Sequence, residues 1–169
     1  PISVLEAYGV KVIEVEEDPL LFDGTSNMVE GIPVLVLNKK EVTTEDGKNL
    51  QNEERRRLTL FHELGHQVMH FSEGLSDKEK EDLCNVFANE MLIPSSTFRQ
   101  IFGEKRASIS YWELKDVQRE FGISARALMM KALQLGVISA SKHKWFFINL
   151  NKNVALREAL DKTAVQVQH

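Results

Sequence analysis

The chain has 169 residues, of which 43% are hydrophobic and 27% charged, and its formal net charge is −4. This size and composition predict one ordinary globular domain and exclude a collagen-like, low-complexity or wholly disordered chain. The net negative charge argues against a surface that binds nucleic acids in general. The charge is uneven, because residues 1–98 carry nine basic and 19 acidic side chains, whereas residues 99–169 carry 12 and six.

The first forty residues predict a small sheet. Residues 3–8 read as the end of a helix, and residues 10–15 alternate enough in hydropathy to predict a strand. Two further apolar runs, at residues 28–29 and 32–37, flank the pair Glu30-Gly31, which favours a tight turn. We therefore predict a hairpin joined to the first strand.

The middle of the chain predicts one surface loop and then only helices. Residues 39–52 are polar and lack apolar periodicity, which is typical of a loop. Ser76 and Glu79 have the spacing of a capping box at the start of a helix. The predicted helices cover about residues 53–71, residues 76–93, a short segment after Pro94, and two segments between residues 110 and 135.

The last third of the chain leaves one question open and predicts one strand. Residues 107–137 read as helix, glycine turn and helix with Ser124 as N-cap, which is typical of a helix-turn-helix but also of any packed helical hairpin. The second helix has few polar side chains that could contact bases, so we favour the structural interpretation. After Gly136 we predict a strand in which Phe146 and Ile148 point inward.

Cysteine content and hydropathy predict a cytoplasmic protein. Cys84 is the single cysteine and cannot form an internal disulfide, and the chain starts with no signal-like apolar stretch. No apolar run approaches the roughly 18 residues that a spanning helix needs. Because the chain starts at Pro1 and not at a methionine, we expect a further region upstream.

The strongest motif in the sequence is the pentapeptide His62-Glu63-Leu64-Gly65-His66, which fits the pattern H-E-x-x-H. On a helix, residues four apart lie on one face, so both imidazoles can bind one ion, for which zinc is the expected metal. Glu63 is rotated by about 100° from His62 and can address the open coordination site without being a ligand. There it can hold a bound water.

Such a site needs a third protein ligand, and the spacing alone does not choose it. The zincin subgroup with a third histidine six residues after the second is excluded, because Met69 and Ser72 stand where glycine and histidine are required. His70 lies one turn beyond His66, where a capping or ligand-supporting role is favoured over metal binding. The predicted helix over residues 76–93 offers four carboxylates, from Glu79, Glu81, Asp82 and Glu90.

Several segments around the histidine motif carry a family resemblance. They are Arg55-Arg56-Arg57-Leu58-Thr59-Leu60 before the motif, the motif itself, Glu81-Asp82-Leu83-Cys84-Asn85-Val86-Phe87-Ala88, Leu92-Ile93-Pro94, and the apolar strand at residues 31–38. Together they resemble the ImmA/IrrE family of zinc metallopeptidases. The resemblance extends over residues 2–137, and the departures are Leu58, where the family usually has Phe, and the longer loop at residues 39–52.

The resemblance implies an α+β, zincin-like fold, with a metallopeptidase domain over residues 1–137 and an extension over residues 138–169 that packs on it. It implies that Glu81 is the third zinc ligand and that Asn85 orients one of the liganding histidines. Cys84 is then expected to be a small buried apolar residue and not a fourth ligand. Glu63 would take a proton from a zinc-bound water and pass it to the leaving nitrogen.

The implied function is a cytoplasmic zinc endopeptidase of regulatory type. Members of this family are associated with the cleavage of helix-turn-helix transcriptional repressors, and many carry an N-terminal helix-turn-helix domain, which the region before Pro1 could supply. The alternative is a DNA-binding regulator or a toxin-antitoxin component whose zincin domain senses a metal or a partner. The intact Glu63 favours the peptidase.

Overall fold

The computed structural model describes residues 1–18, 22–40 and 53–161. A three-stranded sheet near the N-terminus and a mostly helical remainder confirm the predicted α+β, zincin-like class. The chain divides into two compact units, Pro1–Met91 and Leu92–His169. The division into a domain over residues 1–137 and an extension over residues 138–169 stays a prediction.

The first unit contains the sheet and two long helices, as predicted. The helix that carries the histidine motif ends at Val68, three residues earlier than predicted, and the helix that follows ends at Leu92, one residue beyond the unit. Most of the predicted loop at residues 39–52 lies outside the described residues. The elements are α1 (Ile2–Ala7), β1 (Lys11–Val15), β2 (Gly24–Val29), β3 (Ile32–Asn38), α2 (Glu53–Val68) and α3 (Asp77–Leu92).

The sheet has the order β1-β3-β2, so that β2 is an edge strand. Strand β3 pairs in parallel with β1 and antiparallel with β2, and the two-residue turn Glu30-Gly31 closes the predicted hairpin. Helix α2 packs against β2 and β3. The buried side chains of Leu35 and Leu37 in the sheet and of Leu60 and Leu64 in α2 belong to the core of this unit.

A fully buried asparagine fixes the segment that enters the sheet's edge strand. Asn38, the last residue of β3, donates its side-chain amide to the carbonyl oxygens of Glu17 and Phe22. Its side-chain oxygen accepts the backbone N–H groups of Glu17 and Lys40. Because all the hydrogen-bonding groups of this side chain are used, its burial carries no unpaired polar atom.

The second unit is helical. The N-cap of α5, Ser110, forms a capping box with Glu113, and Ser124 caps α6 as the sequence predicts. Hydrogen bonds from the backbone and hydroxyl of Ser110 hold the pKa of the Glu113 carboxyl below its usual value. The helices are α4 (Ser95–Phe102), α5 (Tyr111–Phe121), α6 (Ala125–Gln134), α7 (Ala140–Lys152) and α8 (Val154–Asp161).

The predicted strand after Gly136 is wrong, because α7 occupies that segment. The sequence has a second periodicity that explains the helix: the aromatic and apolar side chains that are at least half-buried follow i, i+3, i+4, i+7 spacing and are His143, Phe146, Phe147 and Leu150. Ser139 accepts the backbone N–H of Lys142 and caps this helix. No helix in the described ranges is long and apolar enough to cross a membrane.

Candidate metal centre

The histidine motif lies in the second half of α2, and its two imidazoles face α3. His62 Nε2 and His66 Nε2 are 3.2 Å apart. Glu81, in the second turn of α3, brings its carboxylate to both rings, with Oε2 3.0 Å from His62 Nε2 and Oε1 3.2 Å from His66 Nε2. The structure therefore brings together the three residues that the sequence and the resemblance proposed as ligands.

The neighbouring asparagine determines which ring nitrogen of His62 is unprotonated. Asn85 lies one turn after Glu81 on α3, and its Oδ1 is 3.0 Å from His62 Nδ1. Because an amide oxygen only accepts, Nδ1 must carry the proton, so the Nε2 of a neutral His62 has no proton to donate. Asn85 is held in turn, because its backbone carbonyl accepts the side-chain amide of Asn89.

The cluster has the donor set and the size of a zinc site. Two imidazole nitrogens and one carboxylate are the protein ligands of thermolysin-like zinc enzymes, in which the fourth position stays open. Zinc–ligand bonds of about 2.0–2.1 Å imply separations of about 3.3 Å between tetrahedral ligands. The two Nε2 atoms are 3.2 Å apart, and each has one of the two Glu81 oxygens at 3.0–3.2 Å, which is close to this size. With a neutral His62, the lone pair of its Nε2 lies among these atoms and can bind a cation.

Gly65 explains how α3 comes close enough to complete the cluster. A Cβ at this position would lie 3.1 Å from the ring of Phe87 and 3.4 Å from the sulfur of Cys84, both on α3. Glycine in a helix interior costs about 1 kcal/mol relative to alanine. The cost is offset here by the close packing of α3, which brings Glu81 and Asn85 within reach of the histidines.

Glu63 lies on the neighbouring face of α2, towards the edge strand β2. Its Oε2 accepts a hydrogen bond of 2.8 Å from the hydroxyl of Ser26. The same hydroxyl accepts a hydrogen bond of 3.0 Å from the side-chain amide of Gln67, one turn after Glu63 on α2. Strand and helix come close because β2 starts with Gly24, where a Cβ would lie 2.6 Å from the methyl group of Thr59.

Arginines at the start of α2 tie this helix to the sheet side of the unit. Arg55 donates from Nε and Nη2 to Oδ2 of Asp23, which directly precedes β2. Arg56 donates to the carboxylate of Glu14 on β1. The arginines that precede the motif therefore help to orient the helix that carries the histidines.

A comparison with protein families identifies the chain. The sequence profile of the IrrE N-terminal-like domain matches residues 5–132. The chain belongs to the IrrE N-terminal-like family. The family is of the metallopeptidase type, which implies a metal, usually zinc. Among curated proteins, no significant match to the chain is found.

In this IrrE N-terminal-like domain, three of the carboxylates considered from spacing lie outside the cluster. Glu79 instead accepts the backbone N–H and the hydroxyl of Ser76 at the start of α3, and these hydrogen bonds lower the pKa of its carboxyl. Asp82 and Glu90 are exposed residues of α3 and do not belong to the ligand group. His70 lies beyond the end of α2 and is also outside the group.

Cys84 behaves as an apolar side chain next to the candidate metal centre. It is fully buried and does not belong to the ligand cluster. Burial raises the pKa of its thiol to about 11, and the charges of Glu81 and Glu63 contribute to the rise. Because the thiolate is the form that binds metals, a thiol that stays protonated is a poor ligand.

Sequence reasoning missed Ser26 and Gln67. The spacing of Gln67, four residues after Glu63 on the predicted helix, was a signal that the two share a face. Ser26 carried no comparable signal, because it is 37 residues from Glu63 and meets it only through the packing of β2 on α2.

Proposed function

We propose that the protein is a zinc-dependent endopeptidase that hydrolyses a peptide bond in a protein substrate at a specific site. The observation that carries the proposal is the convergence of His62, His66 and Glu81 on one side of α2, with the carboxylate of Glu63 held on its neighbouring face. Two histidines, one carboxylate and a separate glutamate are the functional parts of a metal-dependent peptidase.

Each residue of the site has a separate task in this proposal. When bound, zinc supplies a Lewis acid that polarises a water and the carbonyl of the scissile bond. His62, His66 and Glu81 would hold the ion, and Asn85 keeps the Nδ1 proton of His62 in place, which leaves Nε2 free to bind. Glu63 takes the proton of the attacking water and then donates it to the leaving nitrogen.

The resemblance described above supports the finer parts of the proposal. We take the substrate to be a protein, such as a helix-turn-helix transcriptional repressor, and the cleavage to be regulatory. The free, buried thiol of Cys84 is consistent with work in a reducing compartment, for which we propose the cytoplasm.

The substitution Glu63→Gln tests the proposal. The variant keeps the shape of the side chain and all proposed ligands, so we expect one zinc per chain, as in the parent. It cannot accept a proton at this position, and general acid–base catalysis contributes about 10²- to 10⁴-fold to such rates. We therefore expect the variant to cleave a proteome-derived peptide library at least about 100-fold more slowly, as measured by mass spectrometry of the cleaved ends.

Glu73→Gln is the matched control, because Glu73 is an exposed glutamate outside α2 and α3. It should cleave like the parent. Equal cleavage by the parent and Glu63→Gln would contradict the role of Glu63. The zinc-loaded parent should also cleave a peptide in the library or an intact helix-turn-helix repressor. If it cleaves neither, the proposed endopeptidase activity is contradicted.

A further inference from the structure

The hydroxyl of Ser26 has its hydrogen-bonding capacity divided between two residues of α2. A serine hydroxyl has one proton to donate and lone pairs that accept. The side-chain amide of Gln67 donates to this hydroxyl, at 3.0 Å, and so occupies its accepting side. The single proton is thereby directed to Oε2 of Glu63, at 2.8 Å. Gln67 and Ser26 together form a hydrogen-bond chain that ends on one oxygen of the glutamate.

This hydrogen-bond chain leaves the two oxygens of Glu63 in different surroundings. Oε2 is held by Ser26, whereas no residue in the described ranges makes a hydrogen bond to Oε1. Ser26, Glu63 and Gln67 are all half-buried, which limits the competition of bulk water for these bonds. A glutamate side chain has several rotatable bonds, and fixing one oxygen to the sheet restricts the positions that the other can take.

We propose that Ser26 is a positioning residue, which holds Glu63 by Oε2 so that Oε1 receives and returns the proton of hydrolysis. The inference rests on the proposed endopeptidase function. In the first step, the water oxygen forms a bond to the carbonyl carbon, the π electrons of the carbonyl move to its oxygen, and the water proton moves to Oε1. In the second step, the carbonyl re-forms, the bond from carbon to nitrogen breaks with its electrons going to nitrogen, and Oε1 gives the proton to that leaving nitrogen. The serine proton stays on Ser26 throughout.

The position of Ser26 on the edge strand β2 is what makes this role available. Gly24, two residues earlier on the same face of the strand, lets β2 approach Thr59 of α2 closely. Thr59 is one turn before Glu63, and Gln67 is one turn after it, so β2 covers this face of the helix. The same hydrogen bonds could serve only to stabilise the packing of β2 on α2. The experiment must therefore separate a positioning role of Ser26 from a purely structural one.

The variant Ser26→Ala removes the donor. We expect kcat to fall about 10-fold, as for other groups that orient catalytic side chains, while KM and zinc stoichiometry stay within twofold of the parent. Ser26→Thr retains a hydroxyl and should restore most of kcat. Thr25→Ala is the matched control, because Thr25 is exposed and its side chain points to the other face of the strand. Gln67→Met removes only the outer donor and should give a smaller fall.

A second background tests whether Ser26 acts through Glu63. In Glu63→Asp the shorter carboxylate no longer reaches Ser26. Adding Ser26→Ala to this variant should therefore lower kcat by less than twofold. If the two residues acted independently, the losses of kcat from the two substitutions would multiply. The proposal is overturned if Ser26→Ala leaves kcat unchanged, if Thr does not restore it, if zinc is lost, or if only KM rises. If the zinc-loaded parent cleaves no substrate, the endopeptidase proposal itself fails, which is a distinguishable result.

Discussion

The two sides of helix α2 use the same local geometry for different purposes. Towards α3 it presents the pair His62 and His66, and towards β2 it presents the pair Glu63 and Gln67, each pair with a spacing of four residues. Both neighbours come close at a glycine. A Cβ at Gly65 would make a tight contact of 3.1 Å with the ring of Phe87 on α3, and a Cβ at Gly24 of β2 would lie only 2.6 Å from the methyl group of Thr59. In the proposed mechanism, one helix thus places metal ligands and a general base about 100° apart.

The difference between the two sides lies in their protons. On the α3 side, the Asn85 contact gives a neutral His62 an unprotonated Nε2, which meets a second imidazole and the Glu81 carboxylate. On the β2 side, amide, hydroxyl and carboxylate form a donor-to-acceptor series that ends on Oε2 of Glu63. The first arrangement is suited to a cation, and the second to a carboxylate of fixed orientation.

The largest effect in this comparison is expected from Asn85, which acts on the α3 side only. The variant Asn85→Ala loses the acceptor that fixes the Nδ1 proton of His62. Partners of this kind contribute about 10- to 100-fold to metal affinity. We expect zinc affinity, measured by competition with a chromophoric chelator, to fall by that factor. Asp82→Ala, exposed on the same helix, should leave it unchanged, and an unchanged affinity in Asn85→Ala would contradict the assignment.

The features of the site that could be predicted from sequence are those encoded by local spacing. The histidines, Glu63 and the capping box of Ser76 and Glu79 are defined by positions within one or two turns of a helix. Spacing did not select Glu81, because its neighbours on α3 include other carboxylates and only the packing of α3 against Gly65 distinguishes them. The resemblance to a family supplied what spacing could not.

The features that escaped prediction depend on long-range packing or on competing patterns. Ser26 meets Glu63 across 37 residues, through an approach of strand and helix that no local signal records. The error after Gly136 has another cause. The aromatic residues there have high strand propensity and two of them fit an alternating pattern, but the N-cap at Ser139 and the spacing that ends at Leu150 favour the helix that forms.

A stability test addresses the β2 side. In Gly24→Ala, the new Cβ would lie 2.6 Å from the methyl group of Thr59 and 3.1 Å from the backbone oxygen of Val36. Overpacking of this kind costs about 1–3 kcal/mol of unfolding free energy, which denaturant titration can measure. Thr59→Ser removes that methyl group, so the double variant should recover part of the loss. Additive losses in the double variant would show that β2 and α2 do not meet as described.

The smallest effect is expected at Cys84, which lies next to the proposed ligands but which we do not expect to bind the metal. Cys84→Ala should keep the zinc stoichiometry of the parent, and a loss of zinc would show that the thiol is a ligand after all. The substitution also carries a pH signature in the metal-free protein. Because burial raises the pKa of this thiol from 9.0 to about 11, its contribution to stability is present below pH 9 and is lost as the pH rises towards 11. The parent should therefore lose stability more steeply than Cys84→Ala over that interval.

One paired measurement tests the division of labour across α2 most directly. The same chemical change, glutamate to glutamine, is made at Glu81 and at Glu63, and zinc content and peptide cleavage are measured on both variants. We predict that Glu81→Gln loses zinc and cleavage together, whereas Glu63→Gln keeps one zinc per chain and loses cleavage alone. Loss of zinc in Glu63→Gln, or full zinc and full cleavage in Glu81→Gln, would contradict the account.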